Sequence, residues 1–202
     1  MLLEINPHHP EPRKIRAAVE ALEAGEVIAY PTDTVYGLGC DLMNKKAVDK
    51  LYKIKGMDKG QKLAFVCQDI SDMSRYAVMH DHVYRMMKEL LPGPYCFILE
   101  STKEVPKVVH WPRKTVGIRV PDHPVALAIC RELGRPIISS TAARHGSTPS
   151  PDAAEIDRDF PGLGLTLDAG AGGTVPTSII DLTSTEPKVI RSGAGDIRQF
   201  QS

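Results

Sequence analysis

Ile15, Ala18, Val19 and Leu22 recur at intervals of three and four, the spacing of one helical face. Pro12 suits a first turn and Gly25 a C-terminal cap, so the pattern predicts a helix over 12–24. A second helix follows over 45–55, with Val48, Leu51 and Tyr52 inward, Asn44 as N-cap and Gly56 as its stop. A third covers 81–91 on Val83, Met86, Met87 and Leu90, where the methionine pair reads as core filling. A fourth begins at Asp122 or His123, has Pro124 in its first turn, carries Val125, Ala128, Ile129 and Leu133, and closes at Gly134. Residues 153–160 make a short fifth. Between them lie short apolar runs rich in strand formers at 27–30, 63–67, 95–100, 115–120, 136–139, 165–167, 178–182 and 188–191. Strands and helices interleave, and several strand pairs are close enough to be hairpins. The expectation is an α/β fold: one domain over 1–202, with a twisted, open, mixed sheet and flanking helices.

Composition narrows this little. The chain has 202 residues, 42% hydrophobic and 25% charged, which is ordinary for a soluble globular domain with a sizeable core. No apolar run reaches membrane-spanning length, and the N-terminus lacks the basic and apolar regions of a signal peptide, so a cytoplasmic location is expected. Cys40, Cys67, Cys96 and Cys130 are far apart and sit in apolar stretches, which favours buried thiols over zinc or disulfides. No His-Glu-x-x-His or paired-ligand spacing implies a built-in metal, and no Gly-x-Ser-x-Gly nucleophile is present.

Charge is neutral overall but uneven. Lys45, Lys46, Lys50, Lys53, Lys55, Lys59 and Lys62 are offset in that stretch only by Asp49 and Asp58. Such a patch suits a phosphate-bearing ligand, or it is a solvated helix face. Lys46, Lys50 and Lys53 fall on one side of the second helix, where folded RNA is a candidate partner. Aromatics are scarce, at 5%, which argues against sequence-specific reading of single-stranded RNA.

The segment 28–39 stands apart. A strand ends at Pro31, Thr32 and Thr34 flank Asp33, and Gly37 and Gly39 bracket Leu38. It reads as a proline turn and glycine hairpin, or as a loop whose glycines let backbone approach a ligand. Pro31-Thr32-Asp33-Thr34-Val35-Tyr36-Gly37-Leu38-Gly39 resembles the signature of the YrdC/YciO family, which includes the threonylcarbamoyl-AMP synthases. The resemblance continues through 51–66, Gly117-Ile118-Arg119-Val120-Pro121-Asp122-His123-Pro124, Pro136-Ile137-Ile138-Ser139-Ser140-Thr141-Ala142-Ala143, 176–182 and 189–193.

The resemblance implies a large basic cavity on one side of the sheet. It implies synthesis of threonylcarbamoyl-AMP from L-threonine, bicarbonate and ATP carrying Mg²⁺, for modification of the tRNA adenosine beside the anticodon. Thr32, Thr34, Ser139, Ser140 and Thr141 would contact threonine or phosphate oxygens, and Tyr36 would wall the cavity. Arg119 would hold the threonine carboxylate, a good match for a guanidinium fork. Lys55, Lys59, Lys62, Ser178 and Arg191 would bind the nucleotide, with Lys55 and Arg119 as the catalytic pair.

The chain departs from the family pattern: Met57 replaces the arginine of Lys-x-Arg, Thr141 and Ala143 replace the serine and asparagine of Ser-x-Asn, and Val66 or Cys67 stands where many synthases carry a histidine. Losing such an arginine costs phosphoryl transfer heavily. The departures resemble the YciO branch. Two main readings stand: a nucleotidyltransferase of weak activity, and a non-catalytic protein that binds double-stranded RNA, tRNA or rRNA through the same basic cavity. A related step on another amine is a third.

Overall fold

The computed structural model describes residues 1–58, 61, 63–107 and 114–201. In chain order the elements are β1 (Leu2–Glu4), α1 (Pro12–Glu23), β2 (Ile28–Tyr30), β3 (Gly37–Asp41), α2 (Lys45–Lys55), β4 (Ala64–Val66), α3 (Ile70–Tyr76), α4 (Asp81–Leu90) and β5 (Tyr95–Glu100). They continue as β6 (Thr115–Arg119), α5 (Pro124–Leu133), β7 (Ile137–Thr141), α6 (Ala153–Asp159), β8 (Leu165–Asp168), β9 (Ser178–Asp181), β10 (Lys188–Arg191) and a short 3-10 turn at Arg198–Phe200. The strands form one mixed sheet in the order β1-β8-β2-β3-β7-β4-β6-β5-β9-β10.

Caps decide the helix limits. Asn44 accepts a hydrogen bond from the Ala47 amide at 3.1 Å, and Gly56 closes α2 in the left-handed conformation. His123, not Asp122, caps α5: its Nδ1 accepts from the Val125 amide at 3.2 Å. The apolar face of α5 adds Ala126 and Cys130 to the expected stripe, and Ala128 is half-buried. β1 and α3 have no counterpart in the elements expected from the hydrophobic pattern.

The largest correction concerns Gly37 and Gly39. β2 and β3 do form an antiparallel hairpin, but the glycines lie in its second strand and not in its turn: Gly37 opens β3, Gly39 is inside it, and both pair to β2 on one side and β7 on the other. A Cβ on Gly39 would lie 2.6 Å from Ile137 Cγ2 and 2.9 Å from the Tyr30 ring. Glycine is there because the Tyr30 ring lies across the strand.

The sheet's two faces carry two cores. On one, Leu38, Phe65, Phe97 and Ile118 pack with residues of α2, α3, α4 and α6. On the other, α1 and α5 cover Ile28, Tyr30, Val66 and Ile137. The remainder of that second face, toward β6, β5, β9 and β10, is left open and forms a cavity. No helix among the described residues is long and apolar enough to cross a membrane.

Candidate active site

The cavity encloses about 450 Å³. Strand register builds its floor. Ser139, Ala64, Gly117, Ile98, Asp181 and Lys188 form one row across β7, β4, β6, β5, β9 and β10, each opposite the next. Small residues in the middle keep the floor low. A register shift between Val189 and Arg191 brings Arg191 to the same face as Lys188, which strict alternation forbids. Arg119, Lys188 and Arg191 line the cavity against one carboxylate, Asp181, so its lining is basic.

Arg119 is nearly buried, and its Nη2 donates to Asp33 Oδ1 at 2.5 Å. Asp33 Oδ2 and Arg119 Nε are buried without a hydrogen-bond partner among the described residues. At the far side, Arg191 donates to the carbonyl and hydroxyl of Thr177, each at 2.9 Å. Burial depresses the Arg191 pKa, and the nearby Arg119 charge adds to this.

Thr32 lines the cavity, but its hydroxyl is committed within its own loop. It donates to the Val35 carbonyl at 2.6 Å and accepts from the Thr34 amide at 3.2 Å. Thr34 is buried behind it, 3.2 Å from the Thr32 hydroxyl, and does not line the cavity. Tyr36 does line it; its phenol donates to the Gly170 carbonyl at 2.7 Å and accepts from the Ala169 amide at 3.0 Å. Gly172 and Gly173 pack onto this loop, where a Cβ would meet the Tyr36 ring at 2.8 Å and the Thr34 carbonyl at 2.1 Å. Gly172 and Gly173 are therefore fitted tightly against the 34–36 segment.

Ser139, Ser140 and Thr141 all reach the cavity. The Ser140 hydroxyl also lies 3.8 Å from Met57 Sδ. Ser178 is fully buried and spent on backbone, donating to the Gly195 carbonyl at 2.6 Å and accepting from the Gly193 amide at 2.9 Å. Lys55 does not line the cavity. Its ammonium donates to the carbonyls of Thr141 and Ala143, and burial, with the Arg144 charge adding, lowers its pKa to about 8. Lys59 and Lys62 lie outside the described residues. On α2, Lys46 and Lys53 are exposed, while Lys50 is half-buried and paired with Glu26.

Asp33, Lys188, Asp181 and Tyr30 were not singled out from the sequence. Asp33 lay inside the family signature, and Lys188 inside a predicted strand, where a charge facing a ligand looks like one facing water.

A family model described as Telomere recombination, that of the Sua5, YciO and YrdC proteins, matches residues 20–193. YciO of Escherichia coli strain K12 is 40% identical over 199 residues, 97% of each chain, and its crystal structure superposes with a TM-score of 0.95 over 100% of this chain and 99% of that one. A threonylcarbamoyl-AMP synthase of Halorhodospira halophila is 33% identical over 87% of this chain and 93% of its own. The crystal structure of P. abyssi Sua5 complexed with L-threonine is 28% identical, with a TM-score of 0.91 over 98% of this chain and 59% of that one. This basic cavity on an open mixed sheet, together with sequence similarity along nearly all of the chain, shows that the protein belongs to the Sua5/YciO/YrdC family.

Proposed function

We propose that the cavity binds L-threonine and Mg²⁺-ATP together and joins them, through bicarbonate, into threonylcarbamoyl-AMP. One observation carries the reading: cations from two distant strands, with a row of hydroxyls, line a single cavity. Arg119 lies on β6 and Arg191 on β10, three strand spacings apart in the sheet order. At about 4.8 Å per spacing their backbones are about 14 Å apart. Their side chains nevertheless reach toward the same cavity, near enough for the Arg119 charge to act on Arg191, and with Lys188 and the hydroxyls of Ser139, Ser140 and Thr141 they suit a ligand that carries both a carboxylate and phosphates. The related synthase and the threonine-bound Sua5 support the same assignment.

In this reading the threonine amine takes up carbon dioxide from bicarbonate to give a carbamate. A carbamate oxygen attacks the α-phosphorus of ATP, the bond to the β-phosphate breaks, and pyrophosphate leaves with its Mg²⁺. The chain's part is alignment and charge neutralisation, which dominate phosphoryl transfer. Arg119, held by Asp33, orients the carboxylate. Arg191 and Lys188 neutralise phosphate oxygens. Lys55 acts indirectly, by holding the 141–143 backbone through two carbonyls. With methionine at 57 and alanine at 143, turnover is slow. The product would serve tRNA modification.

Pyrophosphate release from ATP and bicarbonate tests this, measured with and without L-threonine. Release that strictly needs threonine supports the reading. Release with a different amine reassigns the substrate. ATP binding with no turnover on any amine leaves a nucleotide-binding protein, and the catalytic reading is lost.

A further inference from the structure

The inner wall of the cavity contains a hydrogen bond whose direction can be deduced. Tyr30 on β2 and Ser139 on β7 are separated by β3, yet their hydroxyl oxygens are 2.6 Å apart. The phenol reaches because Gly37 and Gly39 leave the strand between them bare. A Cβ on Gly37 would lie 3.0 Å from the Tyr30 ring and 3.1 Å from Ser139 Oγ.

Either hydroxyl has the geometry to donate, and the surroundings choose between them. Tyr30 is 0% exposed, and Ser139 Oγ is the only hydrogen-bond partner of its phenol among the described residues. If Ser139 donated, the phenolic proton would be buried with no acceptor, which forfeits the full desolvation penalty of that group. If Tyr30 donates, nothing is orphaned: the serine proton swings free, and Ser139 lines the cavity. Burial also raises the phenol's pKa, so its proton stays in place.

We infer that Tyr30 is a positioning residue that fixes Ser139 as a hydrogen-bond donor into the cavity. The cavity then offers the Ser139 proton and the Arg119 guanidinium, two donor groups in one lining, and recognises an acceptor oxygen such as a carboxylate. A ligand's amine is directed away from these donors. That last consequence rests on the function proposed above; the donor direction does not.

Two experiments separate them. Neutron diffraction from deuterium-exchanged crystals locates the proton without any ligand. The expected result is one deuteron bonded to the Tyr30 oxygen on the line to Ser139, and a second on Ser139 pointing into the cavity. A serine deuteron lying on the line to Tyr30 overturns the inference. In solution, Tyr30→Phe keeps the ring that fills the space over Gly37 and Gly39 while removing the proton. L-threonine and L-threoninol, which lacks the carboxylate, are titrated against wild type, Tyr30→Phe, Ser139→Ala and the double variant. The preference for L-threonine over L-threoninol should fall about tenfold in Tyr30→Phe. The double variant should lose little more than Ser139→Ala alone. A purely structural role weakens both probes equally, and that outcome overturns the inference. Wild type that binds neither probe removes the proposed substrate, and the deuteron positions then decide the donor direction alone.

Discussion

Arg119 and Asp33 meet at 2.5 Å with both side chains only 10% exposed, one on β6 and the other in the turn between β2 and β3. The guanidinium expected to take a ligand's carboxylate is already held by the protein's own. That contact ties the family signature to the far half of the sheet and fixes where the cavity's first cation stands. Removing one partner leaves a buried charge unpaired. Asp33→Ala should therefore cost about 3 kcal/mol or more in urea unfolding, and Arg119→Met a similar amount. The double variant Asp33→Ala/Arg119→Met should cost clearly less than the sum. Additive losses would mean that the pair is not coupled.

Gly39 gives a steric prediction. Adding one methyl group drives it into Ile137 and the Tyr30 ring, neither of which has room in a packed core. Gly39→Ala should destabilise by about 1–3 kcal/mol, read from the denaturant midpoint. Gly134→Ala provides a contrast of cause: its Cβ meets nothing within 4 Å, and the cost there comes from the left-handed backbone, φ 70°.

Lys55 gives a pH prediction. Its folded pKa is about 8 against the ordinary 10.5, chiefly through burial. Below about pH 8 the ammonium is charged in both states, and the burial cost is felt in full. Between 8 and 10.5 the unfolded chain keeps a proton that the folded chain has released, so stability rises with pH. Wild-type stability minus that of Lys55→Met should climb across this window, by at most about 1.4 kcal/mol per pH unit. A flat difference from pH 7.5 to 10 would contradict the burial argument.

Met57 and Ala143 test the departures from the family pattern. Met57 is half-buried against the core beside Ser140, so Met57→Arg should lower stability by about 1 kcal/mol. Combined with Ala143→Asn it should nonetheless speed threonine-dependent pyrophosphate release about tenfold or more. If release stays at the parent rate, something other than these two positions limits the reaction.

The lysines of α2 bear on RNA. Lys50 is held by Glu26, which leaves Lys46 and Lys53 as the exposed cations of the three. If folded RNA lies along this helix, Lys46→Gln with Lys53→Gln should flatten the dependence of log affinity on log salt by about two units. Lys50→Gln should change that slope little. An unchanged slope in the double variant identifies the strip as solvated helix.

How much was legible in the sequence follows the range of each cause. Helix faces such as Ile15, Ala18, Val19 and Leu22 were readable because their periodicity is local, and so were the caps at Asn44 and Gly134. The mixed sheet and the identity of the family were readable too, the first from alternating elements and the second from contiguous words of sequence. The hairpin at the β3 glycines was readable, but the reason for the glycines was not. Their cause is a tyrosine ring arriving from the neighbouring strand, and no local pattern records it.

The chain alone determined which residues are candidates: the threonines after β2, Arg119, the serines of β7, Arg191. Only the tertiary structure decided which of them are free to act. Thr34 and Ser178 are spent on the loop and backbone around them, and Lys55 on two carbonyls 86 and 88 residues away. Arg191 reaches the cavity through a one-residue shift of register, and Arg119 stands where Asp33 holds it. Hydrogen bonds and ion pairs depend on distances of a few ångströms between groups far apart in the chain, and those distances exist only once the sheet has brought its strands together.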